Sequence, residues 1–172
     1  LVQDIKTLSH AREGGMTATM RPEDLCHIVL DVTEVVKPHL ADKGVTLSLD
    51  MPSTAPLICD RIRIGQVIDN LMQNAARYTN APGTVRLCIF DAETAFHLTV
   101  DDTPPGPGPE DIPRLFERFF RAESSRSRAY GGSGLGLSVC QAIVESHGGT
   151  ISASLSELGG LCVAIVLPKA PL

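Results

Sequence analysis

The chain has 172 residues, of which 43% are hydrophobic and 20% charged, so it can bury the core of one ordinary domain. A net charge of −5 does not favour a nucleic-acid partner, and no apolar run is long enough to cross a bilayer. The 5 cysteines are widely spaced and form no Cys-x-x-Cys pair, which argues against a disulfide framework or a zinc site. We therefore expect buried structural thiols in the reducing cytoplasm.

The first predicted element is a short helix over residues 1–13, where Val2, Ile5 and Leu8 share one face before a Gly-Gly pair. So short a helix is marginal alone, and we expect it to be the end of a longer helix whose packing partner lies outside this chain. The first residue is Leu rather than Met, which indicates a fragment of a longer protein. Residues 14–172 are predicted to form one domain.

Helices and strands alternate in the next part of the chain, and two hairpins follow. Helices are predicted over 24–43, 60–79, 112–121 and 134–147, and strands over 45–50, 57–59, 84–90, 96–101, 150–156 and 161–167. This order predicts the α+β class, as a two-layer α/β sandwich with helices on one face of a mixed, mostly antiparallel sheet. The long stretch 102–132, rich in Pro, Gly, Ser and Arg, is predicted to be a functional loop.

Three places carry residues suited to binding a nucleotide, and the first is the polar side of the helix ending near residue 78. Asn70 and Asn74 lie one turn apart there, beside Arg77 and Tyr78. Asn is a mediocre helix residue, but its carbonyl oxygen suits Mg²⁺. Arg can meet a phosphate, and a Tyr ring can pack on a base. A plain polar helix face open to water is the alternative, and this helix alone favours it.

The second place is the end of a predicted strand, at residues 100–106. An ionised carboxylate such as Asp102 accepts hydrogen bonds and donates none, so it could hold the exocyclic amine of adenine. Gly106 would let the backbone come close to a ligand. The alternative is a Pro-Gly turn with a capping Asp, which the segment alone favours.

The third place is a glycine-rich segment that runs into a predicted helix. Gly132, Ser133, Gly134, Leu135 and Gly136 place backbone N–H groups beside a helix N-terminus, where an anion is favoured. The segment is not a Walker loop, because no Gly-Lys-Ser/Thr follows, and its spacing differs from the dinucleotide fingerprint. Phosphate binding is the better interpretation, and a flexible hinge is the alternative.

Taken in order, these segments resemble the sequence boxes of the superfamily that contains gyrase B, Hsp90, MutL and the histidine kinases. Residues 70–79 are similar to its N box, 102–106 to its G1 box, 115–121 to its F box and 132–137 to its G2 box. Such boxes in the family order are far more specific than any one of them. The resemblance implies a Bergerat-type ATP-binding fold with a mobile ATP lid between the G1 and G2 boxes.

The resemblance also implies ATP and Mg²⁺ as cofactors, and a role for each residue. Asn74 would ligate Mg²⁺ with Asn70 supporting it, Asp102 would receive the adenine amine, and Tyr78 would cover the ring. Asn74 and Arg121 would be the catalytic residues, and the rings of the F box would anchor the lid. The other implied nucleotide contacts are Arg77, Gly106, Arg121, Gly132, Ser133, Gly134, Leu135 and Gly136.

Two positions depart from the family pattern, and a third separates its branches. Pro104 stands where the G1 box usually has Gly, which implies a stiffer base of the lid. Leu161 stands where many relatives carry Thr, which implies that a water-mediated contact with adenine is missing. Asn70 stands where the ATPase branches place an acidic base, and the F box is typical of histidine kinases. The resemblance therefore implies phosphoryl transfer to a histidine. A gyrase-type ATPase and a degenerate docking module are the rivals.

None of the 5 histidines is followed by the acidic residue of the phosphoacceptor motif. We therefore expect the acceptor upstream, in a dimerisation domain whose last helix ends at residues 1–13. The implied partners are that domain and the receiver domain of a response regulator, with no nucleic acid. The full-length protein would be a homodimer anchored in the bacterial inner membrane, with this domain in the cytoplasm.

Overall fold

The computed structural model describes residues 19–122 and 133–169, so the predicted helix over 1–13 and residue Gly132 lie outside the described residues. We number the strands and α-helices of the described residues in chain order. They are β1 (Arg21–Asp24), α1 (Leu25–Asp42), β2 (Val45–Asp50), β3 (Pro56–Cys59), α2 (Arg61–Tyr78), β4 (Gly83–Asp91), β5 (Ala95–Asp102), α3 (Gly136–Ser146), β6 (Thr150–Leu155) and β7 (Leu161–Pro168). A single 3-10 turn, Ile112–Arg114, lies between β5 and α3.

The main sheet has the strand order β2-β4-β5-β7-β6. Strands β2 and β4 run parallel, and every other neighbouring pair in this sheet is antiparallel. The prediction of a mixed, mostly antiparallel sheet is therefore confirmed. Sequence analysis missed β1, which pairs with β3 in a separate antiparallel ladder. Its residues Arg-Pro-Glu-Asp show no apolar alternation, so pairing with β3 rather than local preference makes it a strand.

The core lies between one face of the sheet and a layer of three helices. Along β4, β5 and β7 every second side chain is buried, as the period of a strand requires when one face is covered. The helices pack side by side in the order α1-α2-α3. Large fully buried side chains come from both layers: Leu25, Leu40, Ile64, Ile68, Leu71, Phe96, Leu98 and Ile143.

Helices α2 and α3 are joined at one end by a pair of buried polar residues. Asp60 caps α2 by accepting from the N–H groups of Ile62 and Arg63, at 3.0 and 3.1 Å. The Asp60 N–H donates to Nε2 of His147, which ends α3, over 3.0 Å. The other Asp60 oxygen accepts from the N–H of Thr19. Because the start of α2 meets the end of α3, the second half of α2 faces the start of α3.

The predicted helix over 112–121 is wrong apart from its first turn. Only Ile112–Arg114 is helical, and Phe119 has a φ of 64°, in the left-handed region that ends a helix. The Phe119 N–H donates to the carbonyl of Gly134 over 2.9 Å, and the Phe119 ring is 69% exposed. Its backbone rather than its ring therefore contacts the segment before α3. That helix begins at Gly136 rather than 134, because Gly134 also has a positive φ of 69°.

The cysteines agree with the expectation of structural thiols. Cys26, Cys59 and Cys140 are buried, and Cys88 and Cys162 are half-buried on the sheet. Burial raises the pKa of the Cys59 thiol to about 12, which keeps it protonated and unreactive. Within residues 19–122 and 133–169, no helix has the length and apolar character that crossing a membrane requires.

Candidate nucleotide-binding site

The three predicted places meet at one cavity of about 620 Å³, between the second half of α2, the end of β5 and the start of α3. Asn74, Asp102 and Ser133, one from each place, all line it. The other predicted residues that line it are Asn70, Arg77, Tyr78, Gly106, Arg121, Gly134 and Gly136. Leu135 does not, because its side chain is 1% exposed and packs in the core. Gly132 lies outside the described residues.

Helix α2 divides its faces between the core and the cavity. Ile64, Ile68 and Leu71 are buried, whereas Asn70 and Asn74 are partly exposed on the cavity side. The Nδ2 atom of Asn70 is buried and has no hydrogen-bond partner among the described residues. An unpaired buried donor costs on the order of 1–3 kcal/mol, so a ligand that accepts a hydrogen bond would relieve it.

The described residues could hold Mg²⁺ only together with phosphate oxygens and water. No group of three or more His, Cys, Asp or Glu residues in the described part of the chain could hold a metal ion. A magnesium ion in the cavity would take the amide oxygen of Asn74, with phosphate oxygens and water as its other ligands. Such mixed coordination is usual for Mg²⁺ bound with nucleotides.

Asp102 is a buried residue whose carboxylate and backbone carbonyl each accept from a backbone N–H group. Its Oδ1 accepts from the N–H of Leu161 over 2.7 Å, and its backbone carbonyl accepts from the N–H of Gly160 over 3.0 Å. Burial is the main cause that raises the pKa of Asp102 to about 6. The hydrogen bond from the Leu161 N–H lowers this pKa, and the nearby negative charge of Asp101 raises it further. At neutral pH the group is an ionised acceptor whose Oδ2 remains for a ligand.

The start of α3 is suited to phosphate because it leaves both space and donors. The helix begins without a side-chain cap, so its first N–H groups can be offered to an anion. A Cβ atom built on Gly136 would meet no atom of the part of the chain that the structure describes within 4 Å, apart from its neighbours and its own helix backbone, and Gly136 lines the cavity. The Ser133 hydroxyl accepts from the Leu135 N–H over 3.3 Å and shapes the approach to the helix.

The departures from the family pattern are accommodated by the turn between β6 and β7. Pro104 packs against Gly159, where a Cβ atom would lie 3.0 Å from the proline Cγ. Gly106 has a φ of 60° and lies so close to the Gly160 backbone that a Cβ atom would approach it to 2.9 Å. Leu161 contributes an apolar side chain to the cavity and its N–H to Asp102.

Sequence reasoning missed the apolar wall of the cavity and the turn behind Asp102. Leu71, Ala75 and Val163 line the cavity, although the sequence marked them only as parts of an apolar helix face or of a strand. The Gly159-Gly160 pair indicated a hairpin turn, but not that the Gly160 N–H would donate to the backbone carbonyl of Asp102 and the Leu161 N–H to its carboxylate.

This fold and this cavity define a nucleotide-binding α/β sandwich domain. Residues 59–171 match the family described as histidine kinase-, DNA gyrase B- and HSP90-like ATPase, and the chain belongs to that family. It is homologous to the signal transduction histidine-protein kinase BaeS of Escherichia coli, with 36% identity over 168 residues, covering 98% of this chain and 36% of BaeS. It is 29% identical to the sensor protein SrrB of Staphylococcus aureus over 170 residues, covering 98% of this chain and 29% of SrrB.

Solved structures of histidine kinases share the fold. AdeS of Acinetobacter baumannii has a TM-score of 0.81 at 30% identity, over 98% of this chain and 77% of that one. The mycobacterial MprB has a TM-score of 0.78 at 27% identity, and the match covers 88% of this chain and 100% of the MprB chain. Full-length ShkA in complex with AMPPNP has a TM-score of 0.83 at 25% identity, and the match covers 99% of this chain and 35% of the ShkA chain. The expected fold class and the resemblance to histidine kinases are confirmed, and the chain spans about a third of the curated relatives it matches.

Proposed function

We propose that this chain is the ATP-binding catalytic part of a two-component sensor histidine kinase. It transfers the γ-phosphoryl group of ATP to a histidine outside this chain, for relay to an aspartate of a response regulator. The observation that carries the proposal is the single cavity that Asn74, Asp102 and Ser133 share, in a chain homologous to sensor histidine kinases.

In the proposed complex the base lies between the apolar wall and Tyr78, and the free Oδ2 of Asp102 accepts from the 6-amino group of adenine. The phosphates extend toward the start of α3, where its N–H groups, Arg77 and Arg121 meet their negative charge. The Asn74 amide oxygen would hold Mg²⁺, and the unpaired Nδ2 of Asn70 would donate to a phosphate oxygen. Magnesium supplies charge neutralisation on the oxygens of the transferring group.

Among the described residues, no carboxylate on α2 lines the cavity as a base for water, which favours transfer over hydrolysis. Asn70 lies one turn before Asn74, and an amide cannot take up a proton at neutral pH. The carboxylate that α2 carries is that of Asp69, which is exposed, does not line the cavity and accepts from the side-chain NH₂ of Gln73. The acceptor imidazole would lie in a second domain. Its nitrogen attacks the γ-phosphorus in line, and ADP leaves as the bond to the bridging oxygen breaks.

We further propose the partners and the location of the full-length protein. Residues 14–172 would be the catalytic unit, and the acceptor histidine would lie in a dimerisation domain upstream of this chain. The chain spans 36% of BaeS, so a kinase of that size has room for such a domain and for a sensor region. The parent would be a homodimer anchored in the inner membrane, with this domain in the cytoplasm and a response-regulator receiver domain as its second partner.

We expect the chain to bind one AMPPNP molecule, with an affinity at least about tenfold higher with Mg²⁺ than with EDTA, a difference of about 1.4 kcal/mol. Calorimetry measures both values.

Mixed with ATP and the separately purified dimerisation domain of its parent, the chain should transfer phosphate to that domain, whereas the chain alone should stay unlabelled. A dimerisation domain whose acceptor histidine is replaced by alanine is the control. Steady ATP turnover by the chain alone would instead support an ATPase.

Nucleotide recognition should also depend on pH. Because burial raises the pKa of Asp102 to about 6, the carboxylate is ionised at pH 7.5 and mostly protonated at pH 5. Protonation converts the free oxygen from an acceptor to a donor, so we expect the preference for ATP over purine riboside triphosphate, which lacks the 6-amino group, to fall about tenfold. The two nucleotides share their phosphates, so the ratio of their Kd values cancels phosphate titration. A ratio that stays constant would contradict the assignment of Asp102.

A further inference from the structure

The turn between β6 and β7, residues 156–160, is closed by Ser156. This buried serine exchanges backbone hydrogen bonds with the other end of the turn: its N–H donates to the Gly160 carbonyl, and its carbonyl accepts from the Gly159 N–H, both over 2.9 Å. Its hydroxyl accepts from the Leu158 N–H over 3.0 Å. The same hydroxyl donates to Oδ1 of Asp101 over 2.9 Å, which ties the turn to the end of β5.

The other side of this turn holds Asp102. Consecutive N–H groups of Gly160 and Leu161 donate to the carbonyl and the carboxylate of Asp102. A Cβ atom on Gly160 would lie 2.0 Å from Oδ1 of Asp102, so the carboxylate rests directly on the backbone of the turn. Any shift of the turn must therefore shift the carboxylate or break its hydrogen bond with Leu161.

Asp101 and Asp102 are successive residues of β5, so their side chains point to opposite faces of the sheet. Asp102 lines the cavity, whereas Asp101 and Ser156 do not. The second oxygen of Asp101 lies 3.8 Å from a guanidinium nitrogen of Arg86. Asp101 is thus held by a hydroxyl and a cation on the outer face, at a site that a nucleotide in the cavity cannot touch.

We propose that Ser156 and Asp101 are positioning residues for the purine selectivity of the nucleotide site. Their hydrogen bond fixes the turn, and the turn fixes the orientation in which Asp102 presents its free oxygen to the 6-amino group. This inference rests on the proposed nucleotide site. A merely structural role would cost stability and leave selectivity unchanged, whereas a positioning role lowers the preference for a 6-aminopurine specifically.

The test compares Kd values for ATP and for purine riboside triphosphate, in the presence of Mg²⁺ and at a temperature where each variant is folded. We expect Ser156→Ala to weaken ATP binding about three- to tenfold and to leave binding of the analogue unchanged, because only ATP uses the oriented carboxylate. Ser156→Thr keeps the hydroxyl and should keep the preference. The exposed neighbour Glu157, changed to Ala, is the matched control.

Asp101 provides a second, independent route to the same result. Asp101→Ala removes the acceptor of the Ser156 hydroxyl and should lower the preference by a similar factor, with no further loss in the double variant. Asp101→Asn keeps an acceptor oxygen and should keep the preference. If Ser156→Ala and Asp101→Ala lower stability but leave the ratio of Kd values unchanged, the inference is overturned. If the unmodified chain binds neither nucleotide, the proposed function fails instead.

Discussion

Replacing Asp102 with Asn should abolish ATP recognition and at the same time stabilise the domain. The Asn Oδ1 atom can still accept from the Leu161 N–H, but its NH₂ group then faces the adenine amine, a donor against a donor. We expect the Kd for ATP to rise about 100-fold, because a hydrogen bond to a charged acceptor is lost and a buried donor is left unpaired. Calorimetry with AMPPNP and Mg²⁺ measures this change.

The gain in stability follows from the raised pKa of Asp102. Because the pKa is about 6 in the folded chain and 3.8 in the unfolded one, the folded state loses stability as pH rises from 3.8 through 6. Asn carries no charge, so we expect a gain of about 1–3 kcal/mol at pH 7.5, shrinking as pH is lowered to 5. Urea unfolding at both pH values measures it. Asp69→Asn, the same change at an exposed position, should alter neither affinity nor stability.

Equal ATP affinity in Asp102→Asn and the unmodified chain would remove this carboxylate from the binding site. Lower stability of the variant at pH 7.5 would mean that hydrogen bonds to the ionised carboxylate outweigh the free-energy cost of burying it. The two measurements are independent, so either part of the prediction can fail alone. If both parts hold, the ionised Asp102 carboxylate lowers the stability of the folded domain and strengthens ATP binding.

Gly136→Ala should remove nucleotide binding without harming the fold. Outside its chain neighbours and its own helix backbone, a Cβ atom at Gly136 meets no atom of the described residues within 4 Å, and Ala is a better helix residue than Gly by about 0.5–1 kcal/mol. The methyl group would enter the cavity at the start of α3, where we place the phosphates. We expect the Kd for ATP to rise at least about tenfold, while the midpoint of thermal unfolding stays the same or increases.

Two other glycines serve as controls for this result. Gly65 lies within α2, where a Cβ atom would make ordinary contact with Ile28 at 3.8 Å, so Gly65→Ala should raise stability and leave ATP binding unchanged. Gly134 has a φ of 69°, and a Cβ atom there would lie 2.8 Å from the Phe119 backbone, so Gly134→Ala should lower stability by about 1 kcal/mol or more. Unchanged ATP affinity in Gly136→Ala would place the phosphates elsewhere.

The helices and the main strands were predictable because their signals are local. Asp60 caps α2 at the residue where the predicted helix begins, and each bound of β4, β5 and β7 lies within one residue of the predicted one. The cavity-lining residues of the three nucleotide-binding places were predictable from chemistry and order. Asn70, Asn74 and Asp102 are polar groups in register with helix and strand periods, and they share one cavity.

The remaining features depend on contacts between distant parts of the chain. The F-box segment has helical composition, but the Phe119 N–H donates to the Gly134 carbonyl, and no local signal specifies that bond. Leu135 belongs to a glycine-rich loop by sequence, yet its aliphatic side chain packs in the core, because burial outweighs its place in the motif. The hydrogen bond between Ser156 and Asp101 joins residues 55 positions apart.

The link between Asp60 and His147 has a mechanical consequence. Asp60 accepts from the Thr19 N–H at the start of α2, whereas Asn74 lies farther along the same helix, roughly 20 Å away at 1.5 Å per residue. Because α2 and α3 are tied at this end and pack with α1 and the sheet, they would move together with the rest of the domain. A rotation of the whole domain by about 15° about Asp60 would sweep Asn74 through roughly 5 Å and leave the cavity undistorted.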